Sequence, residues 1–156
     1  MKTILAPIDF SPASRPVVAE ARALATALKG KIIFLSVVQP PAIVSDYGPL
    51  LENVVEFVAA GEKAVAHRLR KLRDSFAGGP IKVETQQATG YPRHVILDAA
   101  KKTKPDYIVI GSHGHSALYD LIVGSTTHGI LKDATCPVVV VPAPAPAKSK
   151  RRATKR

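Results

Sequence analysis

Apolar residues run almost unbroken through residues 2–8 (KTILAPI), 31–38 (KIIFLSVV), 106–110 (DYIVI) and 137–141 (PVVVV). Short unbroken runs of this kind fit strands buried on both faces. Residues 81–88 (IKVETQQA) alternate instead, as a less buried or edge strand does. Between these runs the apolar positions recur every three or four residues. Val17, Val18, Ala21, Leu24, Ala25 and Leu28 predict a helix over 13–29. Ser11 is placed to cap it, Pro12 suits its first turn, and Gly30 stops it. Leu51, Val54, Val55, Val58, Val65, Leu69, Leu72 and Phe76 predict the longest helix over 50–76, ended by Gly78-Gly79-Pro80. Pro92 opens a helix that runs to about Thr103. A short helix is expected from Gly124 or Ser125 to near Asp133. Residues 39–49, with three prolines and one glycine, read as a loop.

The order is therefore β-α-β-α-β-α-β-α-β, an α/β fold with an open parallel sheet covered by helices on both faces. Sheets of this kind bind ligands beyond the carboxyl ends of their strands, where the strand order switches. The chemically suggestive residues fall at those ends: Pro7-Ile8-Asp9, Val37-Val38, and Gly111 onward.

Composition narrows the class. At 156 residues and 46% apolar, the chain is long enough for one well-packed domain and too apolar to be disordered. No window reaches the roughly 18 uninterrupted apolar residues of a membrane span. A single cysteine, Cys136, excludes an intramolecular disulfide framework. With no signal-peptide pattern after Met1, a cytoplasmic location is expected. The net charge is +10, but residues 148–156 (KSKRRATKR) hold six of the 22 basic residues and no acidic one. The remainder is only mildly basic, so the charge does not by itself mark the fold as a nucleic-acid binder.

The strongest chemical signal is the segment 110–127 (IGSHGHSALYDLIVGSTT). A glycine directly after a strand lets a ligand approach the backbone closely. Gly124, Ser125 and Thr126 would present free amides at a helix N-terminus, which attracts phosphate. A helix end contributes only about 0.3–1 kcal/mol per charge, whereas micromolar affinity requires about 8 kcal/mol. A nucleotide would also need several charge-assisted hydrogen bonds and a buried base. Val37 and Ile110 could flank that base, and Asp9 could accept bonds from ribose or adenine. The spacing is neither a Walker P-loop, since no lysine precedes Ser125, nor a GxGxxG dinucleotide turn.

Gly111, two residues, Gly114, nine residues and Gly124-Ser125 resembles the ATP-binding signature of the universal stress protein family. The likeness extends to ILAPIDFS at residues 4–11, Ser36-Val37-Val38, Gly90-Tyr91-Pro92 and Ala134-Thr135-Cys136-Pro137-Val138. It implies a five-stranded sheet in order 3-2-1-4-5 within residues 1–142. It also implies a homodimer built around the last strand, which starts at Pro137 and ends at Val141. Carried over by position, Pro7, Asp9 and Val37 would surround adenine and ribose. Ile110, Gly111, His113 and Gly114 would line the nucleotide, and Gly124, Ser125 and Thr126 would hold the phosphates. Thr126 and His115 depart from the family's usual residues, valine and a basic side chain. The implied function is an ATP-binding switch in the stress response, with slow hydrolysis or none.

Other readings are weaker. His113, His115 and His128 lack an accompanying carboxylate or cysteine cluster, so no metal site is expected from the protein alone; Mg²⁺ or Mn²⁺ bridging ATP phosphates fits better. Asp9 as a general base, and Cys136 as a nucleophile rather than a core residue, lack partners in the sequence. The basic residues of 50–76 read as a solvated face. Residues 143–156 read as a Pro/Ala linker and a basic tail, expected to be disordered. Its PAPAPA spacer reaches roughly 19 Å at about 3.1 Å per residue. The alternative function is an adaptor whose tail contacts nucleic acid or an acidic partner, with nucleotide incidental.

Overall fold

A computed structural model describes residues 1–41, 51–113 and 123–143. Five parallel strands form one sheet: β1 (Thr3–Pro7), β2 (Lys31–Val38), β3 (Lys82–Thr89), β4 (Tyr107–Gly111) and β5 (Val138–Val141). Their order is β3-β2-β1-β4-β5, as the resemblance implies. Four helices connect them: α1 (Ser14–Ala27), α2 (Leu51–Asp74), α3 (Pro92–Thr103) and α4 (Ser125–Asp133).

Alternate strand residues feed two separate cores. Ile4, Ala6, Ile32, Phe34 and Val109 pack with Val17, Ala21 and Ala25 of α1 and Leu69 of α2. Leu5, Ile33, Leu35, Ile108 and Ile110 pack with Ile96 and Ala99 of α3 and Ile130 of α4. The unbroken apolar runs are thereby explained, because every second residue meets a different helix layer. On α2, Val55 is 69% exposed and leaves the predicted stripe. The spacing from Val54 to Val58, Val65, Leu69 and Leu72 already fills the inward face, and Val55 sits about 100° away from it. The Leu51 side chain lies outside the described residues.

Two local expectations are corrected. The residue before α1 is Ala13, not Ser11, and no side chain caps the helix. The Ser11 carbonyl instead accepts from the Ser14 amide at 2.9 Å. Pro12 consequently sits in the preceding turn. Gly30 does not end α1 by adopting a left-handed backbone; Lys29 does, at φ +50. Gly30 is needed for proximity, since a Cβ there would stand 2.7 Å from the Lys2 carbonyl oxygen as β2 enters beside β1.

Asp106 sets the start of β4 against β1. Its carboxylate accepts from Lys2 Nζ at 2.7 Å and from the Thr3 amide at 2.8 Å. The Lys2 hydrogen bond first, and the Thr3 amide second, hold this carboxyl below the ordinary carboxylate range. A depressed folded-state value means that the stabilisation is present above the unfolded pKa of about 3.9 and is lost as pH falls through the folded value. Asp106→Asn should therefore melt below the wild type at neutral pH, with the gap closing only below about pH 4. Thermal melts across acidic pH check this; a gap that persists at the most acidic values would mean that the charge is not responsible.

Candidate functional site

The chain switches direction at β1 and β4, the central pair from which the order runs outward to β3 and to β5. A cavity of about 540 Å³ lies at the carboxyl ends of the strands, within the range usual for small-molecule sites. Pro7, Ile8 and Asp9 line it from the end of β1, Val37 from β2, and Ile110, Gly111 and His113 from β4. Gly124, Ser125 and Thr126 close it from the start of α4. Nine of the ten residues singled out from the sequence thus meet around one space. Gly114 lies outside the described residues, as does His115.

Three helix starts line this cavity: Ala13 and Ser14 of α1, Pro92 of α3, and Gly124 to Thr126 of α4. None of the three carries a side-chain cap. Their first amides and macrodipoles place partial positive charge around the cavity. An anion there is favoured by each end, although about 0.3–1 kcal/mol apiece remains well short of a nucleotide's affinity.

The turn after β1 is built around Asp9. Its Oδ1 accepts from the Ser11 amide and the Ser14 hydroxyl, both at 2.9 Å. Phe10 between them adopts φ +59, the left-handed region that bulky side chains seldom enter. Its ring packs on the core beneath the sheet and lies 5.6 Å from the Arg68 guanidinium, which keeps the turn in place. Asp9 is thus presented at the cavity while two of its contacts fix the backbone.

The opposite wall depends on Ser112, which sequence reasoning passed over. Ser112 is buried. Its amide donates to the Val141 carbonyl at 2.7 Å, and its carbonyl accepts from the Gly124 amide at 2.7 Å. Its hydroxyl accepts from the Ala143 amide at 3.0 Å and lies 3.1 Å from His113 Nδ1. Thr127, also missed, donates from Oγ1 to the Gly111 carbonyl at 2.7 Å. These bonds dock the first turn of α4 onto the end of β4. A serine between Gly111 and His113 carries no sequence signal of such a role. Ser14 was equally hidden, because its bond to Asp9 depends on how the intervening turn folds.

Gly111 and Gly124 serve close approach. A Cβ on Gly111 would stand 3.1 Å from the His113 carbonyl oxygen, and one on Gly124 would stand 3.3 Å from that of Ser112. Gly124 has φ −69, so no left-handed strain attends its replacement. Among the described residues no three His, Cys, Asp or Glu side chains come together as metal ligands, and His128 is exposed on α4. Cys136 packs at the margin of the second core, and its thiol is pushed up by burial. No helix among the described residues is long and apolar enough to cross a membrane.

The profile of the universal stress protein family matches residues 1–142. Universal stress protein A homolog 1 of Coxiella burnetii is 30% identical over 146 residues, which is 90% of this chain and 95% of that protein. Universal stress protein UspA of Lactobacillus plantarum superposes with a TM-score of 0.82 at 28% identity, covering 90% of this chain and 97% of its own. A universal stress protein family protein of Arabidopsis thaliana, solved with AMP bound, has the same fold, with a TM-score of 0.66 at 20% identity over 93% and 94% of the two chains.

Proposed function

Because the chain belongs to the universal stress protein family, we propose that its domain of residues 1–142 binds an adenine nucleotide, ATP in the first instance, and works as a nucleotide-dependent switch. The observation that carries this reading is the cavity at the strand ends, ringed by three helix starts without side-chain caps. An apolar base would lie between Val37 and Ile110, and Asp9 and Pro7 would meet the adenine and ribose. Gly111 and His113 would lie along the nucleotide, with Gly114 beside them in the sequence. The Ser125 and Thr126 amides beyond Gly124 would bind phosphate. Mg²⁺ or Mn²⁺ would ride on the phosphates. The AMP carried by the Arabidopsis relative supports this class of ligand.

The same reading makes hydrolysis slow or absent. Asp9 Oδ1 is already engaged by the Ser11 amide and the Ser14 hydroxyl, which lowers its availability as a base. No lysine or arginine is among the described lining residues. The working unit is a homodimer through β5, an edge strand paired only with β4 among the described strands.

The test is direct titration with ATP, with and without Mg²⁺, after any nucleotide that co-purifies has been removed. Affinity near micromolar and turnover well below about 1 per second are expected. Absence of binding at millimolar ATP would make the glycine loop purely architectural. Turnover at kinase-like rates would overturn the switch.

A further inference from the structure

Apart from the cavity at the strand ends, α1 borders a second hollow, a shallow trough of about 630 Å³. Its lining comes from α1 and includes Arg15, Val18, Ala19, Arg22, Ala23 and Ala27. Ala19, Ala23 and Ala27 are exposed and recur every fourth residue, so they form one low ridge along the helix. Helices that meet over small side chains approach the short end of the usual 8–10 Å between axes. Arg22 leans from this flank onto the Phe76 ring, just past α2, at 4.5 Å. The trough therefore lies on the side of α1 that faces α2.

The flank is one-sided in charge. Arg15 and Arg22 stand seven residues apart, nearly in line and about 10.5 Å from each other along the axis. Neither forms an ion pair among the described residues. Glu20, the one acidic residue of α1, is turned about 160° away from Arg22. Across the seam, α2 carries five lysines and arginines from Lys63 to Arg73 and no acidic residue between them. Stacking on Phe76 fixes the Arg22 guanidinium in advance, so less freedom is lost when its N–H fork meets a carboxylate.

These features select the occupant. A ridge of alanines rewards a closely packed, partly apolar neighbour, whereas nucleic-acid interfaces are polar and wet. Arginines about 10.5 Å apart match carboxylates seven residues apart on a second helix lying alongside, because both helices rise about 1.5 Å per residue. A second copy of this chain does not fit, since in none of the four helices do two carboxylates stand seven residues apart. We propose that the α1 trough docks an amphipathic helix of another protein, with Asp or Glu at seven-residue spacing beside a row of small or apolar residues.

Fluorescence anisotropy with a labelled synthetic helix tests it. The probe is an alanine-rich peptide of about 20 residues, long enough to be helical in water, with glutamates seven residues apart on one face. Two controls replace those glutamates by glutamine or move them to five-residue spacing. The wild type should bind the first peptide and neither control. Arg15→Gln combined with Arg22→Gln should weaken binding about tenfold at low ionic strength, and added salt should shrink the difference. Ala23→Arg adds a cation but fills the trough, and it too should lose the peptide. Ala23 is exposed and arginine is a good helix former, so this variant keeps its fold even if uncovering Phe76 unsettles the double variant. Failure of the wild type to bind the first peptide overturns the proposal. Equal binding of either control also overturns it, as does tighter binding by Ala23→Arg, which would make the surface a general attractor of anions. If a short DNA duplex binds the wild type, is lost by the double variant and is not displaced by the peptide, the surface serves nucleic acid and the proposal fails.

Discussion

Gly124→Val should weaken ATP binding at least tenfold, about 1.4 kcal/mol, while the protein melts close to the wild type. The effect is steric. Gly124 has φ −69 and ψ 159, a conformation open to valine, so the substitution introduces no backbone strain. The added Cβ would stand 3.3 Å from the Ser112 carbonyl oxygen and 3.7 Å from His113 Cα. Two further methyl groups would then crowd the entrance to the first amides of α4. The helix itself should persist, because Ile130 is fully buried and Thr127 remains bonded to Gly111. Gly124→Ala, with only the Cβ, should lose less. Calorimetric titration paired with thermal melting separates the outcomes. An unchanged affinity for Gly124→Val would show that this loop holds no phosphate. A collapse in melting temperature would show instead that the Gly124–Ser112 contact is chiefly structural.

Phe34→Ala should cost about 3–5 kcal/mol, the usual range for removing a fully buried aromatic side chain. Phe34 is 0% exposed in the middle of β2. Its ring lies 5.7 Å from that of Phe76, just past the end of α2, at an interplanar angle of 52°. Arg22 of α1 stands 4.5 Å from the same Phe76 ring. Truncation would leave a cavity where β2 meets the α1 and α2 layer. Against a typical domain stability of about 5–15 kcal/mol, that is a large fraction. Urea unfolding of the two proteins measures it. A difference below about 1 kcal/mol would mean that this layer repacks freely. Phe34→Leu, which keeps most of the volume, should be far milder. The lesion also offers a control for the site: Phe34 belongs to the other core from Ile110, so any affinity lost beyond the unfolded fraction would be unexpected.

The amino-acid sequence determined the elements and their order almost unaided. Parallel strands buried on both faces must be apolar at consecutive positions, so β1, β2, β4 and β5 were visible as runs. Helices covering one sheet face must repeat near 3.6 residues, so α1 and α2 were visible as stripes, while Pro92 and Gly124-Ser125 marked the starts of α3 and α4. The spaced motifs from Asp9 through Gly124-Ser125 then pointed to one end of the sheet, because topology forces strand carboxyl ends together. The ends of elements were less legible. Ser11 looked like a cap, yet Asp9 and Ser14 organise that turn; Gly30 looked like a helix stop, yet it is small because Lys2 passes beside it. Such roles arise from contacts between segments distant in the chain, which no local pattern encodes. The tertiary structure alone decided that three helix starts would share a cavity without a side-chain cap, and that one buried serine would tie Gly124, Val141 and Ala143 together. A hydroxyl and a peptide group satisfy whatever partners the fold brings within about 3 Å, and residue type alone does not specify those partners.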